Sequence, residues 1–451
     1  MSEQHSIHGV WTKRWTFILA ATGSAVGLGN IWKFPYMTGE NGGGAFVLLY
    51  LLFIFAIGIP VMLAEILLGR RGRASPINSM QKLAAEAKTT PFWGGIGWLG
   101  ALAGLFILSF YSVVAGWAVN YVYLMGSGTF TGQEPEAIRG VFGDLVSDPR
   151  RLVDWHTVFI AITVTVVAHG IHKGLEMAVQ WLMPLLFVML LVLLGYSVTQ
   201  DGFGDSLAFL FNVDFSKLTE ESVLSALGHS FFTLSLGMGA IMAYGAYLSR
   251  EQSLASTVVT VGILDTVVAL VAGIVIFTIV FTNGGEPGAG PSLMFQTLPI
   301  AFSQMPGGVV WGTVFFVLVV IAAWSSAISL AEPAVAWAVE TTGLSRLQAS
   351  LIVGVAAWVL GVACALSLNI WADVKIFDNS IFDFFDKLTT NIMLPLGGLL
   401  ICVFVGWVMD RAVVRAEVDI DHPTVYKAWF YLVRFISPVG VAVVMINKLM
   451  E

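Results

Sequence analysis

Long stretches without a charged residue recur along this chain and restrict its fold more than any other feature. Residues 45–64 contain no charge, and neither do residues 388–409. Each stretch is about as long as the 20 apolar residues that a helix needs to cross a bilayer. The composition agrees, because 57% of the residues are hydrophobic and 11% are charged, whereas soluble domains carry roughly 25% charged residues. The sequence therefore predicts an all-α polytopic membrane protein.

Eleven stretches are long and apolar enough to be candidate transmembrane helices, and together they form one domain over residues 1–451. We number them spans 1 to 11. Their predicted bounds are 12–37, 43–69, 92–125, 155–172, 175–198, 224–249, 255–283, 308–341, 346–371, 380–410 and 424–449.

The loop charges predict how the chain is oriented in a cell (plasma or inner) membrane. Fourteen lysine and arginine residues fall on the side of the N-terminus and eight on the other side. The positive-inside rule then puts the N-terminus in the cytoplasm, and eleven spans leave the C-terminus outside the cell. Residues 126–154 are predicted to be an extracellular cap, and residues 284–307 a re-entrant or capping loop.

Several classes of function are excluded or disfavoured by composition. The net charge is −7 and no basic stripe is present, so nucleic-acid binding is not expected. The cysteines are Cys364 and Cys402, both in apolar stretches, which argues against a disulfide framework or a cysteine metal site. His169 and His172 are predicted to lie at the membrane interface rather than to bind a metal.

Two spans carry glycine-rich interruptions at matching places. Span 1 contains GSAVGLGN at residues 23–30, and span 6 contains SLGMGAI at residues 235–241. Spans 1 and 6 lie five spans apart, so a repeat of the first five spans (12–198) in the second five (224–410) would be inverted. Paired breaks of this kind indicate a binding site near the bilayer midplane. Close helix packing through small residues explains the glycines equally well if their spacing alone is considered.

Four motifs resemble the neurotransmitter:sodium symporter family, and in particular its bacterial, LeuT-like amino-acid transporters. They are GSAVGLGNIWKFPY (23–36), ENGGGAF (40–46), FFTLSLGMGA (231–240) and WSSAISLAEP (324–333). The similarity extends from about Trp11 to residue 451. The resemblance implies a 5+5 inverted-repeat fold with unwound helices 1 and 6, alternating access, and a monomer or weak dimer.

The resemblance also implies two sodium sites. One, Na1, would use Ala25, Asn30, Thr233, Asp265 and the carboxylate of the substrate. The other, Na2, would use Gly23, Val26, Ala322, Ser325 and Ser326. Oxygen ligands of this kind suit hard cations.

A substrate pocket is implied in the same way, and its residues predict the class of substrate. Monoamine carriers of this family have an aspartate at the position of Gly27, so a glycine here indicates an amino acid that brings its own carboxylate. Apolar residues such as Met238 indicate hydrophobic or aromatic L-amino acids. The implied pocket residues are Ser24, Ala25, Gly27, Gly29, Ile107, Tyr111, Phe232, Thr233, Ser235, Met238, Ser326, Ser329 and Leu330.

Closures on both sides of the pocket can also be assigned from the resemblance. On the outside, Lys33 replaces the arginine of the family and would pair with Asp386. On the inside, Glu340 is the family's acidic residue, and His8 stands where its partner arginine is expected. Lys13 and Arg14 are alternatives for this role, and an exposed position in the N-terminal tail would explain His8 equally well. Trp11 matches a tryptophan that packs beneath the bundle.

Three further polar residues lie within predicted spans. Glu65 would accept hydrogen bonds from the unwound backbone, and His229 would take part in hydrogen bonding near the outer closure. Asp265 is a lone carboxylate, and such residues are usually functional inside membranes. Because the usual glutamate position of the family is Ala269 here, Asp265 is predicted to supply the negative charge that makes transport independent of chloride.

The sequence therefore favours a sodium-coupled amino-acid symporter that is not an enzyme. A symporter for another small zwitterion and a non-transporting amino-acid sensor on the same fold stay open, since fold does not fix function. An ion channel is disfavoured because no repeated polar filter is present. An intramembrane enzyme would need a nucleophile and base or a metal cluster, which we do not find.

Overall fold

The computed structural model describes residue 11, residues 13–288 and residues 293–450, and within them the chain is almost entirely helical. Eight helices are long and apolar enough to cross a membrane, counting the described residues only. They correspond to spans 2 to 5 and 7 to 10. Their bounds are Gly44–Gly72, Pro91–Gly126, Pro149–Ala168, Ile171–Ser197, Leu254–Thr282, Gly308–Thr342, Arg346–Leu366 and Ile381–Val408.

The predicted count of eleven includes three further segments that are helical but are not among these eight. Span 1 consists of Arg14–Ala25, a π-helical turn Gly29–Lys33, and Phe34–Glu40. Span 6 consists of Glu220–Thr233 and Ala240–Ala246. Span 11 is helical over residues 423–450. Spans 1 and 6 are not among the eight because the break in each divides it into helices too short to cross a membrane. The count of eleven stays a prediction.

Some predicted boundaries were wrong. Span 4 begins at Pro149 rather than 155 and ends at Ala168, because Asp148 caps its first turn and Gly170 leaves the helical region with a φ of +80°. Span 9 ends at Leu366 rather than 371. The predicted loops also contain short helices, which are Pro135–Ser147, Phe203–Phe211, Thr297–Gln304 and Arg411–Val418.

Burial distinguishes the inner helices from the outer ones. In spans 3 and 8, 78% of the most apolar stretch is buried, against 28% in span 5 and 33% in span 4. Span 8 packs along span 3, and spans 4 and 9 cover the outside of span 3. The outer helices therefore present apolar side chains outward, as expected for surfaces in contact with lipid.

Both predicted breaks are present, although each is shorter than predicted. The first helix continues through Ala25, and Val26 then adopts an extended conformation with ψ of 105°. In span 6 the chain is unwound from Leu234 to Gly239, and Gly237 and Gly239 both have a φ of +75°. Only glycine adopts that region without a steric cost, which explains why glycines recur here.

The backbone groups freed by the breaks are bonded to side chains. The Gly237 amide donates to the carboxylate of Glu65 over 3.0 Å, and the Gly27 amide donates to the side-chain oxygen of Asn30 over 3.0 Å. The hydroxyl of Ser235 donates to the Ser24 carbonyl over 2.7 Å. Unpaired backbone groups are costly away from water, so these bonds make the breaks possible inside the bundle.

Candidate functional site

The two broken helices meet at a cavity in the middle of the bundle. Its empty volume, which includes space open to solvent, is about 290 Å³. Spans 1, 3, 6 and 8 supply its wall, and every lining residue belongs to the pocket predicted from the sequence. The lining residues are Ser24, Ala25, Gly27, Gly29, Ile107, Tyr111, Phe232, Ser235, Met238, Ser326 and Leu330.

Two predicted pocket residues, Thr233 and Ser329, do not line this cavity. The Thr233 hydroxyl points at the Asp265 carboxylate, 3.2 Å away. The Ser329 hydroxyl donates to the Ser326 carbonyl over 2.8 Å. Each is adjacent in sequence to a lining residue, and successive side chains on a helix point about 100° apart, so both stand behind the wall.

Asp265 accepts hydrogen bonds from three different spans. The amide nitrogen of Asn30 donates to its carboxylate over 2.7 Å, and the hydroxyl of Thr233 lies 3.2 and 3.3 Å from its two oxygens. The hydroxyl of Tyr50 lies 3.5 Å away. Asp265 is fully buried. The structure thus brings together three of the four residues predicted for Na1, while Ala25 lies in the cavity wall.

The residues predicted for Na2 form a second cluster of oxygen atoms. The Ser326 hydroxyl lies within 3.3 Å of three carbonyls of the first broken helix, those of Gly23, Ser24 and Val26. In the preceding residue of span 8, the Ser325 hydroxyl donates to the Ala322 carbonyl over 3.0 Å. Carbonyl and hydroxyl oxygens are the ligands that hard cations prefer, so the donor set fits sodium.

The polar end of the cavity is built around Tyr111. Its hydroxyl accepts a hydrogen bond from the Leu28 amide over 3.1 Å, just beyond the break in span 1. The lining also includes the apolar side chains of Ile107, Met238 and Leu330. A ligand with one charged end and one apolar end matches this combination.

A model of the sodium:neurotransmitter symporter family matches residues 8–133 and 148–451 of the chain. The chain belongs to the sodium:neurotransmitter symporter family. The predicted fold class is confirmed too, because the crystal structure of MhsT in complex with L-phenylalanine superposes with a TM-score of 0.91 at 42% identity. That match covers 98% of this chain and 99% of MhsT.

Other relatives of this symporter-family chain span nearly its whole length. The uncharacterised sodium-dependent transporter YhdH of Bacillus subtilis is 36% identical over 99% of this chain and 98% of its own. An uncharacterised sodium-dependent transporter of Haemophilus influenzae is 35% identical over the full length of both chains. The bovine sodium-dependent dopamine transporter is 25% identical over 95% of this chain and 67% of its own.

The ion pair predicted for the outer closure is present in the structure. The Lys33 ammonium lies 3.6 Å from the Asp386 carboxylate and 4.5 Å from the centre of the Phe232 ring. Lys33 therefore contacts both its acidic partner and a lining residue of the cavity. All three residues line a second cavity, whose lining also includes Trp32, Phe110 and Phe382.

The predicted inner closure is only partly described. Trp11 is buried, and its indole N–H donates to the Tyr244 carbonyl over 3.1 Å. Glu340 accepts hydrogen bonds from the Ser75 amide (2.7 Å) and the Asn78 side chain (2.6 Å). His8 lies outside the described residues.

A buried ion pair near the inner closure was missed by sequence reasoning. Arg346 at the start of span 9 bonds the Glu332 carboxylate with two nitrogens, and Tyr247 donates to the same carboxylate over 2.7 Å. Glu332 is fully buried. The motif WSSAISLAEP contains this glutamate, but its partners are distant along the chain, so no local pattern marks the pair.

In the described part of the chain, the hydrogen bonds predicted for Glu65 are present, whereas those predicted for His229 are not. Glu65 bonds the unwound backbone of span 6 through Gly237, as described above. His229 does not form the predicted hydrogen bonds, because neither ring nitrogen has a partner among the described residues. Its ring instead packs between Phe34 and Tyr50, with centroid distances of 6.1 and 5.4 Å.

His172 has a carboxylate partner that the sequence analysis did not name. Its ring nitrogen lies 2.8 Å from the carboxylate of Glu176, one helical turn along the chain. No group of three or more possible metal ligands occurs among the residues that the structure describes.

Proposed function

We propose that this protein is a sodium-coupled symporter for hydrophobic or aromatic L-amino acids that works by alternating access. The observation that carries the proposal is the cavity between the two broken helices, whose lining combines a polar end at Tyr111 with an apolar wall. An L-amino acid has one zwitterionic end and one side chain, and the lining matches that division. The L-phenylalanine bound in MhsT supports the same class of ligand.

The polar end can orient the carboxylate of the substrate. Because the Tyr111 oxygen already accepts a bond from the Leu28 amide, its own proton is left for donation to a carboxylate. Gly27 lies beside it and carries no acidic side chain, so an amine-only substrate would have no acidic partner at this position. The substrate carboxylate would then also reach Na1, which couples the binding of sodium and amino acid reciprocally.

Two sodium ions are proposed as co-transported substrates. The Asp265 cluster would hold one and the Ser325–Ser326 cluster the other, because both consist of buried oxygen atoms beside the cavity. Sodium entering along the membrane potential releases about 2.3 kcal/mol per charge per 100 mV. Two ions would therefore support accumulation of the amino acid against its gradient.

Closing of the outer side is proposed to involve Lys33 and Asp386. Lysine offers a point charge where arginine would offer a two-pronged fork, and the Asp386 side chain is 37% exposed. Partly exposed ion pairs contribute up to about 1 kcal/mol, so this closure is weak. The orientation with a cytoplasmic N-terminus and the monomer or weak dimer remain predictions.

Substitutions in the outer pair should change how fast the substrate leaves. We expect Asp386→Asn to speed dissociation of labelled L-phenylalanine from purified protein by about two- to fivefold, since the pair contributes at most about 1 kcal/mol. Lys33→Arg should slow it by a similar factor. Dilution of the preloaded complex measures both rates, and identical rates in all three proteins would remove the pair from the closure.

Transport should not require chloride. Asp265 supplies a fixed negative charge beside the proposed sodium site, and the nearby Ala269 is buried and has no charge. We expect uptake of labelled L-phenylalanine into proteoliposomes to be unchanged when gluconate replaces chloride on both sides. A loss of uptake that returns on adding chloride would contradict the role given to Asp265.

The experiment that tests the function is a binding and uptake panel. Purified protein is titrated with labelled leucine, phenylalanine, tryptophan, alanine, glutamate and dopamine, in sodium and in potassium. The proposal expects sodium-dependent binding of the first three and sodium-driven uptake of those that bind. Binding without uptake would favour the amino-acid sensor, and binding of none of the apolar amino acids would overturn the proposal.

A further inference from the structure

Three arginines and a row of aromatic rings form a cluster where span 10 ends and span 11 begins. We call it the arginine–aromatic cluster. The short helix Arg411–Val418 supplies two of its arginines, and span 11 supplies the third. Its members are Arg411, Arg415, Arg434, Trp407, Tyr426, Phe430 and Phe435.

The spacing on both helices aligns these side chains in one row. Tyr426, Phe430 and Arg434 recur every four residues, so they share a face of span 11. The guanidinium of Arg411 lies 5.0 Å from the Phe430 ring, and that of Arg434 lies 5.9 Å from the same ring. The guanidinium of Arg415 lies 5.6 Å from the Tyr426 ring, which stacks on Phe430.

Among the three arginines, Arg434 has the shortest distance from its guanidinium to an aromatic ring. Its guanidinium lies 4.0 Å from the Trp407 ring, and the Trp407 indole donates to its backbone carbonyl over 3.0 Å. Cations within about 6 Å of a ring face are attracted to it. The rings therefore fix the positions of the charges without neutralising them.

None of the three guanidinium groups forms an ion pair within the described ranges 13–288 and 293–450. Two acidic residues of the same segment bond other groups. Glu417 pairs with Arg70 and Arg71, and Asp410 caps the helix through the Ala412 amide. The buried Nε of Arg434 has no hydrogen-bond partner in the described part of the chain.

The cluster lies at the depth where lipid headgroups are expected. Span 10 ends at Val408, and the exposed rings beside it include Trp407 (54%) and Tyr431 (56%). Tryptophan and tyrosine are enriched at this interface. Farther along span 11, Val439 and Val443 are also exposed and continue the apolar surface into the bilayer.

We propose that the arginine–aromatic cluster binds the phosphate of an anionic phospholipid. Guanidinium groups match phosphate oxygens with paired hydrogen bonds, and arginines near a bilayer surface attract anionic lipids. An acyl chain would lie along the exposed valines of span 11. The continuous apolar surface favours a lipid over free phosphate, and the missing acidic partners favour an anionic headgroup over a zwitterionic one.

Native mass spectrometry of the purified full-length protein tests this proposal. The protein in detergent is titrated with dioleoyl-phosphatidylglycerol or dioleoyl-phosphatidylcholine, and the bound lipid is counted. We expect the protein to retain dioleoyl-phosphatidylglycerol tightly but not to retain dioleoyl-phosphatidylcholine. Each arginine should account for about a fivefold change in affinity, so the triple variant R411Q/R415Q/R434Q should lose about a hundredfold.

A matched control removes one positive charge elsewhere. Arg139 is an exposed residue between spans 3 and 4 that pairs with Glu136, and Arg139→Gln should leave lipid retention unchanged. Millimolar inorganic phosphate should not displace the lipid. If the triple variant does not fold, R411Q and R415Q are measured singly, since both residues are exposed. Equal retention of both lipids, full competition by phosphate, or unchanged retention in folded variants would overturn the proposal.

Discussion

Replacing Asp265 by asparagine is expected to lower the affinity for sodium by two to three orders of magnitude. The substitution keeps the size of the side chain but removes the one full charge in the cluster with Asn30 and Thr233. Two unit charges about 4 Å apart interact with about 4 kcal/mol at an effective dielectric constant of 20. The side-chain amide of the new asparagine would also place an N–H donor against the Asn30 amide, which donates to Asp265. Sodium titration of labelled L-phenylalanine binding measures the change.

Two comparisons make this result specific. Asp265→Glu keeps the charge and should retain more of the sodium affinity than Asp265→Asn. Because a mobile anion can replace a missing fixed one, chloride should partly restore sodium binding in Asp265→Asn and have no effect on the unmodified protein. If Asp265→Asn binds sodium normally in gluconate, Asp265 is not a sodium ligand.

Replacing Gly27 by alanine should reduce substrate binding at least about 100-fold. A Cβ atom at this position would lie 2.4 Å from the Ser326 hydroxyl oxygen and 2.7 Å from the Tyr111 hydroxyl oxygen, closer than side chains approach one another. Neither oxygen is free to move away, because Ser326 is bonded to the carbonyls of the broken helix and Tyr111 to the Leu28 amide. Overpacking typically costs about 1–3 kcal/mol, and the added methyl also enters the space for substrate.

The matched control is the same substitution where space is open. A Cβ at Gly195, in span 5, would meet nothing within 4 Å, so Gly195→Ala should bind labelled L-phenylalanine as the unmodified protein does. Thermal unfolding separates lost binding from lost folding in both variants. Normal binding by Gly27→Ala would show that the substrate does not occupy the cavity beside this residue.

Much of the cavity could be predicted through the family resemblance, because nine of its eleven lining residues lie in the motifs that carry the resemblance. Breaks in spans 1 and 6 follow from glycines, whose conformational freedom is a local property. Once the breaks are located, residues such as Ser24 and Met238 must lie beside them. Thr233 and Ser329 could not be assigned correctly in this way. Each is one residue away from a residue that lines the cavity, and a shift of one residue turns a side chain away from the cavity.

Other parts of the site depend on side chains that meet from distant parts of the chain. Tyr50 and Asp265 are 215 residues apart, and Gly237 and Glu65 are 172 residues apart. The Glu332 pair with Arg346 joins two spans across a loop. Such contacts depend on how helices rotate and pack against one another, which no local pattern specifies.

The sequence by itself determined that this chain is a helical membrane protein, and its resemblance to a family predicted where two of its helices break and which residues surround the break. It could do so because hydrophobic length and glycine placement act over neighbouring residues. Only the tertiary structure decided that Tyr50 also meets Asp265, that Lys33 contacts Phe232 as well as Asp386, and that three arginines gather without acidic partners among the described residues. The physical reason is that those arrangements are set by packing between helices far apart in the chain, where a shift of one residue points a side chain elsewhere.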